Sequence, residues 1–436
     1  MRYPTDSFPF QHQTKRHSRV QQASRLILGA GEPCQFWRGR RPNPVKKCDA
    51  MFDEQLHALD RRHLRRRLQT VASATGPTIE LDDRRVILLA SNNYLGLSTH
   101  PAVIQAAIAA IRTYGVGAGA SRLVSGTMVP HRELEAALAR FKATDGALTF
   151  ASGYVANISA IPSLVGAEGL ILTDRLCHAS LIDACRLSKA RFRVFRHGDM
   201  NHLEELLARR PARRRTLLVT DGVFSMDGDL APLVDLASLA ERYDCLVFVD
   251  DAHGTGVMGR TGRGSLEHCG VEARIPFHMG TLSKALGSAG GYLVGSDSFV
   301  QFLITTSRPF LYTTAPPPAV AAAALAALRL IDSEPGRRTA LWNNREYFFA
   351  GLRRLGFRTT ATVSPIIPVL IGDAERAVRF SRHLLDEGVY APAIRPPTVP
   401  RSTSRIRATV TADHTTGQLD EALAAFERAG RATGLI

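Results

Sequence analysis

The stretch Leu246–Gly256, LVFVDDAHGTG, decides the fold. An unbroken apolar run ends in Asp250 and Asp251, and His253, Gly254 and Gly256 follow at once. A strand without polar alternation is buried on both faces, as strands of a parallel sheet are. In open α/β sheets, ligands bind beyond the carboxyl ends of such strands. An acid at that position needs a cationic partner to remain ionised; the plainer reading is a helix-capping Asp and a turn. The stretch alone leaves both readings open.

Outward from it, short apolar runs recur at Leu148–Phe150, Leu170–Thr173 and Leu217–Thr220. Helical segments lie between them, around Ser180–Leu187, Leu203–Arg209 and Leu233–Tyr243. Strands alternating with helices predict an α/β fold, a mostly parallel sheet covered on both faces. Upstream, Phe52–Leu68 has helical periodicity and is basic on one face, Pro101 opens an apolar helix to about Tyr114, and His131–Phe141 repeats the period. After Pro316–Pro318 come an Ala/Leu-rich helix and another from about Glu334 to Leu355. The last eighty or so residues restart as strand (Ile366–Ile371), helix (Glu375–Glu387), strand (Arg405–Thr411) and helix, a small α+β domain. The expected divisions are a disordered basic extension over 1–50, an N-terminal helix and arm over 51–98, a large domain over 99–330 and a small C-terminal domain over 331–436.

The 436 residues are 45% hydrophobic and 22% charged, a globular composition that excludes a collagenous or wholly disordered chain. The longest aliphatic stretch, Ala319–Ile331, is interrupted by Arg329 and falls short of the roughly 20 residues that a membrane span requires. Cys34, Cys48, Cys177, Cys185, Cys245 and Cys269 form no CxxC pair, which predicts free thiols in a reducing compartment, the cytoplasm. The net charge is +15, and the first 50 residues, with ten Lys and Arg against three Asp and Glu, hold nearly half of it. The excess left in the body suits anionic small molecules as well as a nucleic-acid backbone. Pro4, Pro9, Pro33, Pro42 and Pro44 interrupt any amphipathic transit helix, and no apolar core of a secretory signal follows the early charges.

Three more stretches carry chemistry. Met279–Gly287, MGTLSKALG, sets Lys284 among small residues, where desolvation turns an amine into a nucleophile for carbonyls. Phe150–Asn157, FASGYVAN, places Ser-Gly at a strand-to-helix junction that offers free N–H groups to a phosphate. Asp174–Asp183, DRLCHASLID, brings His178 to another strand end. Singly each is ordinary: a surface lysine, a loop glycine, an interior histidine. Together they are the set a pyridoxal phosphate enzyme needs, with a lysine for the aldehyde, an acid for the pyridine nitrogen and a cradle for the phosphate.

From about Met51 onward the chain resembles the α-oxoamine synthases, fold-type I pyridoxal phosphate enzymes that join an amino acid to an acyl thioester. SNNYLGL (Ser91–Leu97), GVGAGASRLVSGT (Gly115–Thr127), DGVFSMDGD (Asp221–Asp229), VDDAHGTG, GTLSKALG and IRPPTVP (Ile394–Pro400) carry the resemblance. SRLVSGT, AIRPPTVP and RIRATVTADHT are most similar to the biotin-pathway branch, which implies L-alanine and pimeloyl-CoA or a pimeloyl carrier protein as substrates. Sister branches, which use glycine with acetyl- or succinyl-CoA or serine with palmitoyl-CoA, stand second. A non-catalytic basic binding protein on this fold has only the net charge in its favour.

The resemblance implies that Lys284 carries the cofactor and Asp250 meets its ring nitrogen. It further implies that His253 and Ser225 contact the phenolic oxygen and that His178 stacks on the ring. Gly153, Tyr154 and Thr281 match phosphate-binding positions, and Thr313 and Thr314 match a segment that reaches the phosphate from a second subunit of a homodimer. Asn92 and Arg395 match groups that hold the amino-acid carboxylate, Thr398 matches a substrate contact, and Arg65 or Arg66 matches an acyl-carboxylate arginine. No metal, nucleic-acid or membrane partner is implied. Cys177 stands where many relatives have Asn, and the basic extension is atypical.

Overall fold

The computed structural model describes residues 44–211 and 214–436. The expected disordered extension lies outside these residues up to position 43, and from Pro44 the chain is helical. The described chain divides between Ala58 and Leu59, and Leu59–Ile436 forms one compact unit.

Helix α1 spans Pro44–Arg61, earlier than the expected Phe52–Leu68. It stops because His63 takes a positive φ of 54° and the Leu64 N–H turns back to the Leu59 carbonyl at 2.9 Å. The basic run Arg65–Arg67 continues as a non-helical arm. Next come β1 (Thr78–Leu81), β2 (Arg84–Leu88), α2 (Pro101–Tyr114) and α3 (Val129–Phe141). The central part follows as β3 (Gly146–Phe150), α4 (Gly153–Leu164), β4 (Leu170–Asp174), α5 (Ala179–Leu187), β5 (Arg191–Phe195), α6 (Met200–Ala208), β6 (Thr216–Asp221), α7 (Leu233–Arg242), β7 (Leu246–Asp250), β8 (Phe277–Thr281) and β9 (Gly291–Gly295).

Strands β3 to β9 form one sheet in the order β3-β9-β8-β7-β6-β4-β5, parallel throughout except for β9, which runs against both neighbours. Its central strands β4, β6 and β7 carry apolar side chains on both faces because each feeds two cores. Ile171, Leu217, Val219 and Phe248 pack with Ala156, Ile161 and Leu181 of α4 and α5. Their sequence neighbours Leu172, Leu218, Val247 and Val249 pack with Leu203, Leu207, Leu233 and Leu236 of α6 and α7. Each such side chain contributes about 1.5–3 kcal/mol of burial, so one polar intrusion at any of these positions is felt on that face alone.

After β9 come α8 (Asp297–Thr306), α9 (Pro318–Ser333) and α10 (Gly336–Arg354). The C-terminal part adds β10 (Ile366–Gly372), α11 (Ala374–Asp386), β11 (Val389–Tyr390), β12 (Ala393–Ile394), β13 (Ser404–Thr409) and α12 (Thr416–Thr433). Here β10, β13 and β12 make a small antiparallel sheet. Phe348, Phe380 and Phe426 close its helices by edge-on ring contacts near 5.6 Å. Strand β11 crosses over to pair in parallel with β2. No helix among the described residues is long and apolar enough to cross a membrane.

Candidate active site

The register of the large sheet brings three strand ends level: Asp221 lies opposite Asp250, and Asp250 opposite Met279. Asp250 is buried; it accepts 2.7 Å from Asn157 Nδ2 and 3.0 Å from the Ala252 N–H. Asn157 projects from α4, donates also to Ser180 Oγ at 2.8 Å and keeps its own Oδ1 without a partner. Asp221 accepts the His178 N–H at 2.8 Å, and burial together with nearby Asp250 pushes its carboxyl well above the usual range. His178 caps α5 through Ser180, and burial holds its imidazole below its ordinary value.

Lys284 sits in the loop that reverses the chain between β8 and β9. That loop is closed by the Leu282 N–H on the Gly290 carbonyl at 2.9 Å and the Gly287 N–H on the Lys284 carbonyl at 2.9 Å. Burial lowers the lysine to about 8; Asp250 opposes that shift and the Arg407 guanidinium adds to it. Lys284 and Ser283 line two cavities. One of about 220 Å³ holds Gly153, Tyr154, His178, Asp250, His253 and Thr281. The other, about 390 Å³, holds Asn92, Ser91, Ile79 and Tyr390.

The smaller cavity ends at the start of α4. Ser152 caps the Val155 N–H, so the first-turn amides of Gly153 and Tyr154 have no partner within the helix. Gly291 at the head of β9 lies against them: a Cβ there would come within 2.6 Å of Gly153 N. The hydroxyls of Thr281 and Ser283 bond each other at 2.8 Å beside them. Amide and hydroxyl donors at a helix N-terminus, a buried amine and a buried acid fit a phosphorylated pyridine aldehyde.

Above this floor, Tyr94 Oη contacts His253 Nδ1 at 2.8 Å, and burial holds His253 well below its ordinary value, hence neutral. Arg407 of β13 donates to Asn92 Oδ1 at 3.2 Å, to Tyr94 Oη at 3.3 Å and to the Ser225 carbonyl. Sequence reasoning misses Asn157, Asp221, Tyr94 and Arg407. Only Arg407 has a readable signal: in RIRAT, Ile406 and Ala408 enter the core, so Arg405 and Arg407 share the other face.

Lys284, Asp250, His178, His253, Gly153, Tyr154 and Thr281 thus meet in one cavity, and Asn92 meets Lys284 in the adjoining one. Ser225 reaches this cluster through its carbonyl. Thr313 and Thr314 are exposed, with Thr314 bridged to Ser121. Arg65 and Arg395 line an adjoining cleft of about 530 Å³ that shares Tyr390 with the larger cavity. There Arg395 donates to the carbonyls of His63 and Arg65, and Arg66 donates to Thr398 Oγ1 at 2.9 Å. Arg395 thus lines a cleft that shares Tyr390 with the Lys284 cavity, while Arg407 is the arginine that donates to Asn92.

The profile of the class I and II aminotransferase family matches residues 84–426. The chain is 50% identical to the 8-amino-7-oxononanoate synthase of Geobacter sulfurreducens over 88% of this chain and 98% of that one. It is 43% identical to 8-amino-7-oxononanoate synthase 1 of Bacillus subtilis over 88% and 97%. Among solved structures, Sphingomonas wittichii serine palmitoyltransferase superposes with a TM-score of 0.85 at 35% identity, covering 90% of this chain and 99% of that one. The 8-amino-7-oxononanoate synthase of Francisella tularensis superposes with a TM-score of 0.68 at 25% identity, covering 80% and 99%.

Proposed function

We infer the function from one premise: this chain belongs to the class I and II aminotransferase family. It is a fold-type I pyridoxal phosphate enzyme that transfers an acyl group to carbon. The reaction is that of an 8-amino-7-oxononanoate synthase in biotin biosynthesis, the decarboxylative condensation of L-alanine with a pimeloyl thioester. The observation that carries the chemistry is a buried Lys284 amine facing Asp250 in one cavity and Asn92 in the next. The branch rests on identities of 43–50% to synthases of this one activity.

Pyridoxal phosphate, when bound, supplies the electron sink for the negative charge that develops at the amino acid's α-carbon. The chain's own residues do the rest. Lys284 Nζ would hold the cofactor through its aldehyde and, as a free amine, would take the Cα proton; a pKa of about 8 suits that base near neutral pH. Asp250, its two oxygens each holding one donor, keeps acceptor capacity for the proton on the ring nitrogen. Neutral His253 meets Tyr94 Oη at Nδ1, and in the tautomer that accepts from Tyr94 its Nε2–H would donate toward the phenolic oxygen. His178, also held neutral, offers its ring face. The amides of Gly153 and Tyr154 and the Thr281 hydroxyl hold the phosphate, and Thr313 and Thr314 of a second copy complete that cradle in a homodimer.

We assign the amino-acid carboxylate to Arg407 with Asn92, in place of the sequence-expected Arg395. Arg395, Arg65, Arg66 and Thr398 are left to orient the acyl donor's carboxylate. The test is thiol release from pimeloyl-CoA with L-alanine, beside acetyl-CoA with glycine and palmitoyl-CoA with serine. Alanine and pimeloyl-CoA should turn over at least tenfold faster, in the range where about 1.4 kcal/mol of selective binding decides the partner. Preference for serine and palmitoyl-CoA would overturn the assignment.

A further inference from the structure

We propose that His197 is a positioning residue of this site: its ring bonds Asp174 through Nδ1 at 3.0 Å and Asp229 through Nε2 at 2.9 Å, clamping the loop that carries His178 to the turn that holds Arg407. The proposal rests on the functional reading above, because it concerns residues that reading places in the reaction.

Both bonds are donated only by a doubly protonated ring, since carboxylates accept and do not donate. The two carboxylates raise His197 to about 10, against the opposing effect of burial. The other titratable groups at hand are Asp221 and the Cys177 thiol near Asp174, both pushed up by burial, and the Arg196–Asp199 pair at 2.7 Å on the same loop. The Phe224 ring stands edge-on to the imidazole, centroids 4.5 Å apart, which fixes its plane.

Beyond the paired strands β4 and β6, the clamp adds a second link between two structures otherwise joined by the His178 N–H on Asp221. On one side Asp174 ends β4 and gathers the Leu176 N–H and the Gly198 N–H, both at 2.8 Å. Four residues on, the His178 N–H is fixed to Asp221. On the other side Asp229 closes the 221–229 turn, where the Phe224 N–H meets the Asp229 carbonyl at 2.9 Å. That turn offers the Ser225 carbonyl to Arg407 and the Met226 carbonyl to Arg405. Without His197, buried Asp174 and half-buried Asp229 would face each other across the gap without their shared cation, and the Asp229 end of the turn would move away from the loop. His178 and Arg407 would then shift together although neither touches His197.

The experiment uses His197→Gln, which can donate to one carboxylate only, and Asp229→Asn as the milder second variant. Leu303→Ala, a buried residue of α8 in a core cluster that does not include Phe224, is the control for lost stability. Amide hydrogen exchange should speed up in both 174–178 and 222–229 in the clamp variants and in neither segment specifically in the control. In the full-length enzyme reconstituted with pyridoxal phosphate, the KM for alanine should rise about tenfold and kcat should fall by a similar factor. The cofactor's circular dichroism band should weaken. If His197→Gln lowers melting temperature like the control while exchange, KM and dichroism stay as in the wild type, the clamp is merely structural and the proposal fails. If His197→Gln does not fold, Asp229→Asn decides by the same readouts. A wild-type chain that took up no cofactor would sink the functional reading, whereas the exchange result would still judge the clamp.

Discussion

Asp250 and Asp251 are consecutive, both buried, and open onto opposite regions of the molecule. Asp251 is saturated: Lys142 Nζ at 3.0 Å, the Ser265 N–H at 3.0 Å, Ser265 Oγ at 2.5 Å and Thr255 Oγ1 at 3.2 Å all reach it. Burial works to lower the Lys142 amine, but Tyr292 and Asp251 override it and the net shift is upward. Asp250 has two donors, Asn157 and the Ala252 N–H, and the cavity in front of it. A carboxylate whose acceptor sites are filled from within holds the fold, and one with sites left over holds a ligand.

The harshest way to break this comparison is to empty the cavity side. Lys284→Ala should abolish turnover and the absorbance near about 420 nm typical of lysine-bound cofactor; a band that survives dialysis would mean another residue binds it. Asp250→Asn should fold and melt normally yet lose about a thousandfold in kcat, roughly 4 kcal/mol of transition-state stabilisation. Asp251→Asn should do the reverse, losing about 3 kcal/mol of stability in urea because Lys142 is left buried without its counterion. Its kcat per folded molecule should stay within about threefold of wild type, an interval worth only ~0.7 kcal/mol. A stable but slow Asp251→Asn would erase the distinction.

A smaller effect sharpens it through pH. His197 belongs with the saturated region, since both its nitrogens are engaged. Its folded pKa of about 10 lies above the unfolded value of 6.5, so its contribution to stability is present in full below pH 6.5. That contribution is lost as pH rises through about 10. The urea-midpoint gap between wild type and His197→Gln should be widest at pH 6 and should narrow steadily toward pH 10. Least of all, removing residues 1–43 should shift the melting temperature by no more than about 1 °C, because that segment lacks the apolar periodicity that would give it a core to join.

The legible parts of the molecule are those where one residue type has one use. LVFVDD reads as a doubly buried strand because no surface strand tolerates that run. Lys284 reads as the cofactor lysine because of the small residues around it and the matching motif. Asn157 lies inside the quoted FASGYVAN, yet its bond to Asp250 comes from a strand nearly a hundred residues away, and no local pattern encodes it. Strands β8 and β9 escape sequence reading because His278, Gly280, Gly291 and Gly295 break their apolar runs. Arg395 and Arg407 each follow an isoleucine, and although the RIRAT alternation marks Arg407's face, only the pairing of β13 with β10 and β12 brings it to Asn92.

The reversed strand β9 also sets a schedule. Phe150 of β3 pairs with Gly291 of β9, so β3 waits at the sheet's edge through the synthesis of β4 to β8 before its only neighbour exists. Closing so long a loop is slow. The amides of Gly153 and Tyr154 are made early, but the glycine that packs behind them comes only with the last strand of this sheet. A ribosome paused before residue 291 should therefore hold a chain with helices and a partial sheet that cannot yet retain a phosphate, and cofactor capture becomes a late checkpoint of folding rather than its seed.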